Sequence, residues 1–326
     1  MRITGTFLCG TELDVPSMNF GEREWEREFK IMRAVGIDTV VLIHSGFLRH
    51  STFPSEVLAR EARALPVYED KVAMFLRLAE QEGMSFFMGT YVGAMWGYTP
   101  ENCDLIKDRE LSLNKSLIDE LWGRYGKSPA FRGWYNSFEL NTRWSCCTDV
   151  VRKVGLHCKE VSGLPVLMSP YYIPFSHYAK NGKQPPPGVT DEPSGLAWHA
   201  RQWDGMLTEL AGSVDMIAFQ DGVECEYPDF LKTNNPLLKK HNIRPWINIE
   251  TWSHDTSIRW PPVDWSHLRY HLEACEADGD VEKVIVFDFS HFMSPYAFWP
   301  SGQNLFRRYC EYLGLSADGI VAAAGR

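Results

Sequence analysis

Eight short β-like runs, most of them separated by amphipathic helical patterns, constrain this chain more than any other feature. The runs are Ile3–Leu8, Thr39–His44, Ser85–Tyr91, Phe131–Glu139, Pro165–Tyr171, Val214–Gln220, Pro245–Glu250 and Val284–Phe289. Between them apolar residues recur at helical spacing, as in Trp25, Phe29 and Met32, or Val72, Phe75, Leu76 and Ala79. Eight strand-then-helix units predict an α/β fold of the (β/α)8 TIM-barrel type. A length of 326 residues, 44% of them hydrophobic, suits one large domain of that kind.

Loop lengths predict which end of the barrel does the work. Helix-to-strand connections are short and carry a glycine where a helix C-cap wants one, at Gly36, Gly83, Gly126, Gly163, Gly212 and Gly279. Strand-to-helix connections are long, over 45–68, 92–111, 173–196 and 251–263, and are rich in Pro, Gly and aromatics. TIM barrels build their active face from the strand-to-helix loops. The Pro-rich stretch 183–188 falls in one of these loops and reads as part of a lid, not as a linker. Residues 1–313 are expected to form the single barrel domain, and the small residues of 314–326 a flexible tail.

Bulk properties exclude several partners. The net charge is -9 with no long run of either sign, which argues against nucleic acid or an anionic membrane surface. No stretch is apolar for long enough to span a bilayer. The first ten residues, MRITGTFLCG, hold one basic residue and a very short apolar run, unlike a secretory signal, so a cytoplasmic protein is expected. The eight cysteines lack CxxC spacing, so neither a zinc site nor a disulfide framework is expected. No GxGxxG or Walker loop marks a nucleotide site, and no cofactor is expected. Oligomeric state is not legible.

Two carboxylates stand where strands four and seven end, Glu139 in GWYNSFELN and Glu250 in PWINIE. Alternation puts Trp246, Asn248 and Glu250 on one face and Ile247 and Ile249 on the helix-packed face. By the same rule Glu139 shares the inward face with Gly133, Tyr135 and Ser137, while Trp134 and Phe138 turn outward. One strand-end glutamate could serve stability by pairing with Arg or Lys. Two that converge on one mouth suit glycoside cleavage, in which one carboxyl protonates the leaving oxygen and the other acts as nucleophile or base. Crowded like charges also raise one pKa, as the acid requires.

Further candidates crowd the same rim. Gln220 and Asp221 end strand six beside Glu250, Asp288 ends strand eight and His44 ends strand two. Asp221 before Gly222 also fits an Asx-turn, and a lone rim histidine is more often hydrogen-bonded than a general base. Tyr91, Trp96, Tyr98, Trp144, Tyr171, Tyr172, Trp252, Trp260 and Trp299 concentrate after strands. Flat rings with polar tips suit the C–H faces and hydroxyls of sugars. His44, Tyr91, Asn141, Tyr171, Tyr172, Gln220, Asp221, Trp252 and Asp288 are therefore the expected carbohydrate-binding residues.

The segments ITGTFL, GIDTVVL, FPSE, GWYNSFELN, FQDGV and INIETW, spread over most of the chain, resemble the glycoside-hydrolase-like barrels catalogued as domain of unknown function 4434. More broadly the chain is similar to the clan A glycoside hydrolases. That likeness implies Glu139 as acid/base and Glu250 as nucleophile, without a metal. Phe138 stands where that clan carries an asparagine before its acid/base. Two other readings fit the residues. A metal-dependent sugar isomerase or epimerase would draw on Glu139, Asp221, Glu250, Asp288 and a histidine for an oxygen-rich shell. A non-catalytic carbohydrate-binding barrel would need only the rim.

Overall fold

The computed structural model describes residues 1–10, 19–93, 100–143, 145–180, 182–220, 227–253 and 260–325, with the backbone alone at 100–106 and 179–180. Eight strands form a closed barrel: β1 (Ile3–Leu8), β2 (Thr39–Leu42), β3 (Ser85–Gly89), β4 (Phe131–Asn136), β5 (Val166–Met168), β6 (Met216–Gln220), β7 (Arg244–Glu250) and β8 (Lys283–Phe287). Each pairs in parallel with the next, and β8 closes on β1 through Thr6↔Val286. Helices run between them, which is the (β/α)8 architecture predicted.

Alternation sorts the strand residues into two cores. Phe7, Val41, Phe87, Tyr135, Leu167, Met216, Ala218, Trp246 and Ile285 pack inside the barrel. Trp134, Ile247, Ile249, Val284 and Val286 pack outward against the helices, with Trp25, Phe29, Phe75 and Leu76 among their partners in that layer. The interior is therefore filled, and any pocket has to lie at its mouth.

Several strands end sooner than the sequence pattern predicts. β4 stops at Asn136, three residues before Glu139, β2 stops at Leu42, and β5 covers only Val166–Met168. Apolar alternation continues past these points, but the ladder ends there and side-chain bonds such as those between Thr90 and Ser137 follow it. Tyr91–Val92 instead joins Gly46–Phe47 and His50–Ser51 in a small second sheet that ties together the loops after β2 and β3.

Residues after Gly314 differ from expectation as well. Ala317–Ala324 is a helix, capped by Ser316 Oγ accepting from Gly319 N at 3.1 Å, with Ala324 buried. Its small residues carry little periodicity, yet alanine is the best helix former. It packs on helix Glu22–Ala34. Of the six glycines read as C-caps, all but Gly126 adopt positive φ.

Helix Glu22–Ala34 also buries an acid. Glu28 is fully buried, and its Oε1 accepts from Ser294 Oγ at 2.7 Å in the segment after β8. Burial pushes its pKa up from 4.5 to about 7, against the lowering pull of Ser294, Arg27 and Ser290. A carboxyl whose folded pKa lies above its unfolded value stabilises the fold fully below the unfolded value. That contribution fades as pH rises through the folded one. Glu28→Gln is therefore expected to match the wild type near pH 4.5 and to exceed it by up to about 3 kcal/mol above pH 7. Urea titrations of both proteins across pH 4.5–8 check this; a constant difference across the range would refute it.

Candidate active site

Glu139 is positioned by neighbouring strands more than by its own. Just past β4, Ser137 N donates to Thr90 Oγ1 at 3.0 Å, and Thr90 N donates to Ser137 Oγ at 2.9 Å. Ser137 Oγ in turn donates to the Ile43 carbonyl at 2.6 Å. This reciprocal clasp joins the ends of β2, β3 and β4 immediately before Glu139. Beyond it, Arg143 N donates to Asn141 Oδ1 at 2.9 Å, and Tyr171 N donates to the Leu140 carbonyl at 3.3 Å. Glu139 is thus half-buried in a short segment fixed at both ends.

Two tyrosines stand among its electrostatic neighbours. Tyr135 is fully buried on the inward face of β4, and burial, then the charge of Glu139, raises its pKa well above the usual value. Tyr171 is pushed up to about 12 by burial first and by Glu139 second. Both hydroxyls therefore stay protonated beside the carboxyl.

Glu250 closes β7 on the inward face, two positions above Asn248 and four above Trp246. It is buried, at 8% exposure. The next residue anchors it: Thr251 N and Oγ1 donate to the Phe287 carbonyl at 3.0 and 2.9 Å, and Oγ1 reaches the Asp288 carbonyl at 3.0 Å. A hydroxyl residue thus ties each glutamate's backbone to a neighbouring strand end.

Between them lies a polar floor. Ser169, at the end of β5, donates through Oγ to the Ala218 carbonyl at 2.8 Å and accepts from Asn248 Nδ2 at 3.1 Å. It also hydrogen-bonds the Tyr135 hydroxyl, and its carbonyl accepts from Gln220 Nε2 at 2.9 Å. Neither Ser169 nor Thr90 carries a recognisable motif. Their signal in the sequence is only a hydroxyl residue just after an apolar run.

Other expected rim residues have different surroundings. Asp288 is fully buried and caps helix Phe289–Phe292, accepting from His291 N at 2.9 Å and pairing with His291 Nδ1 at 2.5 Å. Its carboxyl is thus engaged by its own helix cap and by His291, and its charge also acts on the buried Glu28. Tyr91 belongs to the small sheet, its hydroxyl donating to the Leu48 carbonyl at 2.9 Å, with its pKa pushed up to about 12 by burial. His44 stacks on Phe47 at 4.8 Å, and burial lowers its pKa to about 3, so it is a neutral imidazole. Tyr172 is buried edge-on to His199 in the outer layer. Trp252 packs edge-on to Trp260, 5.6 Å apart, beside Glu250. Asp221, Trp96, Tyr98 and Trp144 lie outside the described residues.

Glu250 at the end of β7 and Glu139 just after β4 thus both follow the C-terminal ends of barrel strands, Glu139 near Tyr135 and Tyr171, with Ser169, Asn248 and Gln220 hydrogen-bonded together on the strands between. Hydroxyl and amide groups above a packed apolar plug suit a polyhydroxylated ligand. Among the described residues no group of three or more His, Cys, Asp or Glu side chains is placed to hold a metal ion. No helix among them is long and apolar enough to cross a membrane.

Comparison with known proteins agrees with the barrel fold. The family profile described as Domain of unknown function (DUF4434) matches residues 3–299. A solved structure from Bacteroides thetaiotaomicron, described as a candidate alpha-L-fucosidase, is 33% identical with a TM-score of 0.85, covering 97% of this chain and 94% of its own. The endo-1,4-beta-D-mannanase of Thermotoga petrophila shares the fold at 11% identity and a TM-score of 0.59, covering 95% of this chain and 99% of its own. A GH113 beta-1,4-mannanase does so at 9% identity and 0.58, with 95% and 99% covered. No curated protein matches the chain.

Proposed function

We propose that this chain, which belongs to the DUF4434 family, is a retaining glycoside hydrolase acting on an oligosaccharide or glycoconjugate. What supports the reading is that Glu250 ends β7 on its inward face, that Glu139 follows β4 within the field of Tyr135 and Tyr171, and that a hydroxyl residue anchors the backbone beside each. In this reading Glu139 protonates the glycosidic oxygen as the leaving group departs, and Glu250 attacks the anomeric carbon. Water, deprotonated by Glu139, then releases the sugar from Glu250 with net retention. Glu139 is half-buried, and Tyr135 and Tyr171 beside it keep their hydroxyl protons, so both can donate hydrogen bonds at its side of the mouth.

Likeness to the Bacteroides protein makes an α-L-fucoside the first substrate to try, with β-mannosides and β-xylosides beside it. Proton NMR of the reaction in progress is expected to show the first-formed sugar with the anomeric configuration of the substrate. First formation of the opposite anomer would remove Glu250 as nucleophile. Absence of release from every glycoside tried would sink the hydrolase reading.

A further inference from the structure

We infer that Asn248 is a specificity-determining residue, whose side-chain carbonyl accepts a hydrogen bond from one hydroxyl of the sugar held against Glu250. The inference deepens the hydrolase reading above and rests on it for the position of the sugar. Asn248 is 2% exposed and lies two residues before Glu250 on the same inward face, as its neighbours show: Trp246 packs inside the barrel, Ile247 and Ile249 outside. Its amide has one fixed sense. Nδ2 donates to Ser169 Oγ at 3.1 Å, and Ser169 cannot reverse that bond because its own proton goes to the Ala218 carbonyl at 2.8 Å. The carbonyl Oδ1 is thereby aimed into the barrel beneath Glu250, buried, and no donor among the described residues reaches it.

Buried carbonyls of this kind are normally satisfied, and leaving one unpaired is costly. A hydroxyl descending from the mouth supplies the missing donor, whereas a deoxy or O-methyl position does not. Sites built to hydrogen-bond a substrate hydroxyl reject analogues that lack it far more strongly than apolar pockets reject a missing methylene. The Tyr135 hydroxyl and the Gln220 amide already hydrogen-bond Ser169, so the floor's free capacity is concentrated on Oδ1. Trp246 Nε1, one turn of the pleat deeper, is also buried with no partner among the described residues, which adds a donor below the acceptor.

The test is calorimetric binding of the methyl glycosides of L-fucose, D-mannose and D-xylose, each with its monodeoxy forms, to the wild type and to Asn248→Leu. Asn248→Ala stands in if the leucine variant unfolds. For the sugar that binds best, removal of one hydroxyl is expected to weaken binding to the wild type about tenfold to a hundredfold. The variant is expected to bind the parent sugar weaker by a similar factor and to lose discrimination at that position alone. Equal deoxy penalties in wild type and variant would overturn the assignment, as would wild-type protein binding none of these sugars. Because binding is read without turnover, hydrolase failure shows separately, as unchanged hydrolysis in Glu139 and Glu250 variants.

Discussion

Replacing Glu250 with alanine is expected to lower kcat by roughly four orders of magnitude or more, the scale seen when a covalent nucleophile is removed. The fold should survive, because Glu250 stands at the last position of β7 and the Thr251 bonds to β8 are made by the backbone and by Thr251's own hydroxyl. Exogenous azide should occupy the space left and attack the anomeric carbon itself, yielding a glycosyl azide of inverted configuration. Alanine at Glu139 is expected to behave differently. Its loss should be about 10²–10⁴-fold, smallest for substrates whose leaving groups need no proton. Azide there should intercept the glycosyl-enzyme and give the retained azide. Wild-type rates in both variants, measured on the glycoside the protein hydrolyses, would end the two-glutamate assignment.

A second large effect is expected in stability. A methyl group added at Gly89 would come within 2.2 Å of the Leu42 carbonyl oxygen and 2.8 Å of the Ile43 carbonyl group. These are backbone atoms of the adjoining strand, so no rotamer change can relieve the clash. Gly89→Ala is expected to destabilise the barrel by about 3 kcal/mol, the upper range for overpacking. For a chain of 326 residues that corresponds to a drop in Tm of roughly 4–5 °C. Activity should fall with it, because Ser45 Oγ donates to the Gly89 carbonyl and Thr90, the next residue, clasps Ser137. A variant that melts with the wild type would show that β2 and β3 can separate at no cost.

The fold was largely legible because the barrel repeats one simple unit. Alternation in PWINIE assigned Trp246 to the interior and Ile247 and Ile249 to the helix layer, and that is where they pack. Strand ends were less legible, since apolar runs such as Thr39–His44 continue past the last ladder bond. Asp288 shows why site residues are harder still. As a strand-end carboxylate it reads like Glu250, yet the chain turns into helix Phe289–Phe292 at once and engages its carboxyl as the N-cap. Ser169 and Asn248 show the converse, polar residues inside strand-end runs whose partners lie on other strands, far away in sequence.

The clasp through Thr90 and Ser137 also bears on how this scaffold can vary. Because three strand ends hold the backbone before Glu139, residues 89–91 and 137–141 behave as one mechanical unit with the close of β2. Insertions inside that unit would displace the carboxyl, whereas insertions between Arg143 and helix Thr148–Ser162 would leave both its anchors in place. Diversification of the mouth, and with it the choice of glycan, is therefore channelled into the outer parts of the loops while the geometry at Glu139 stays inherited.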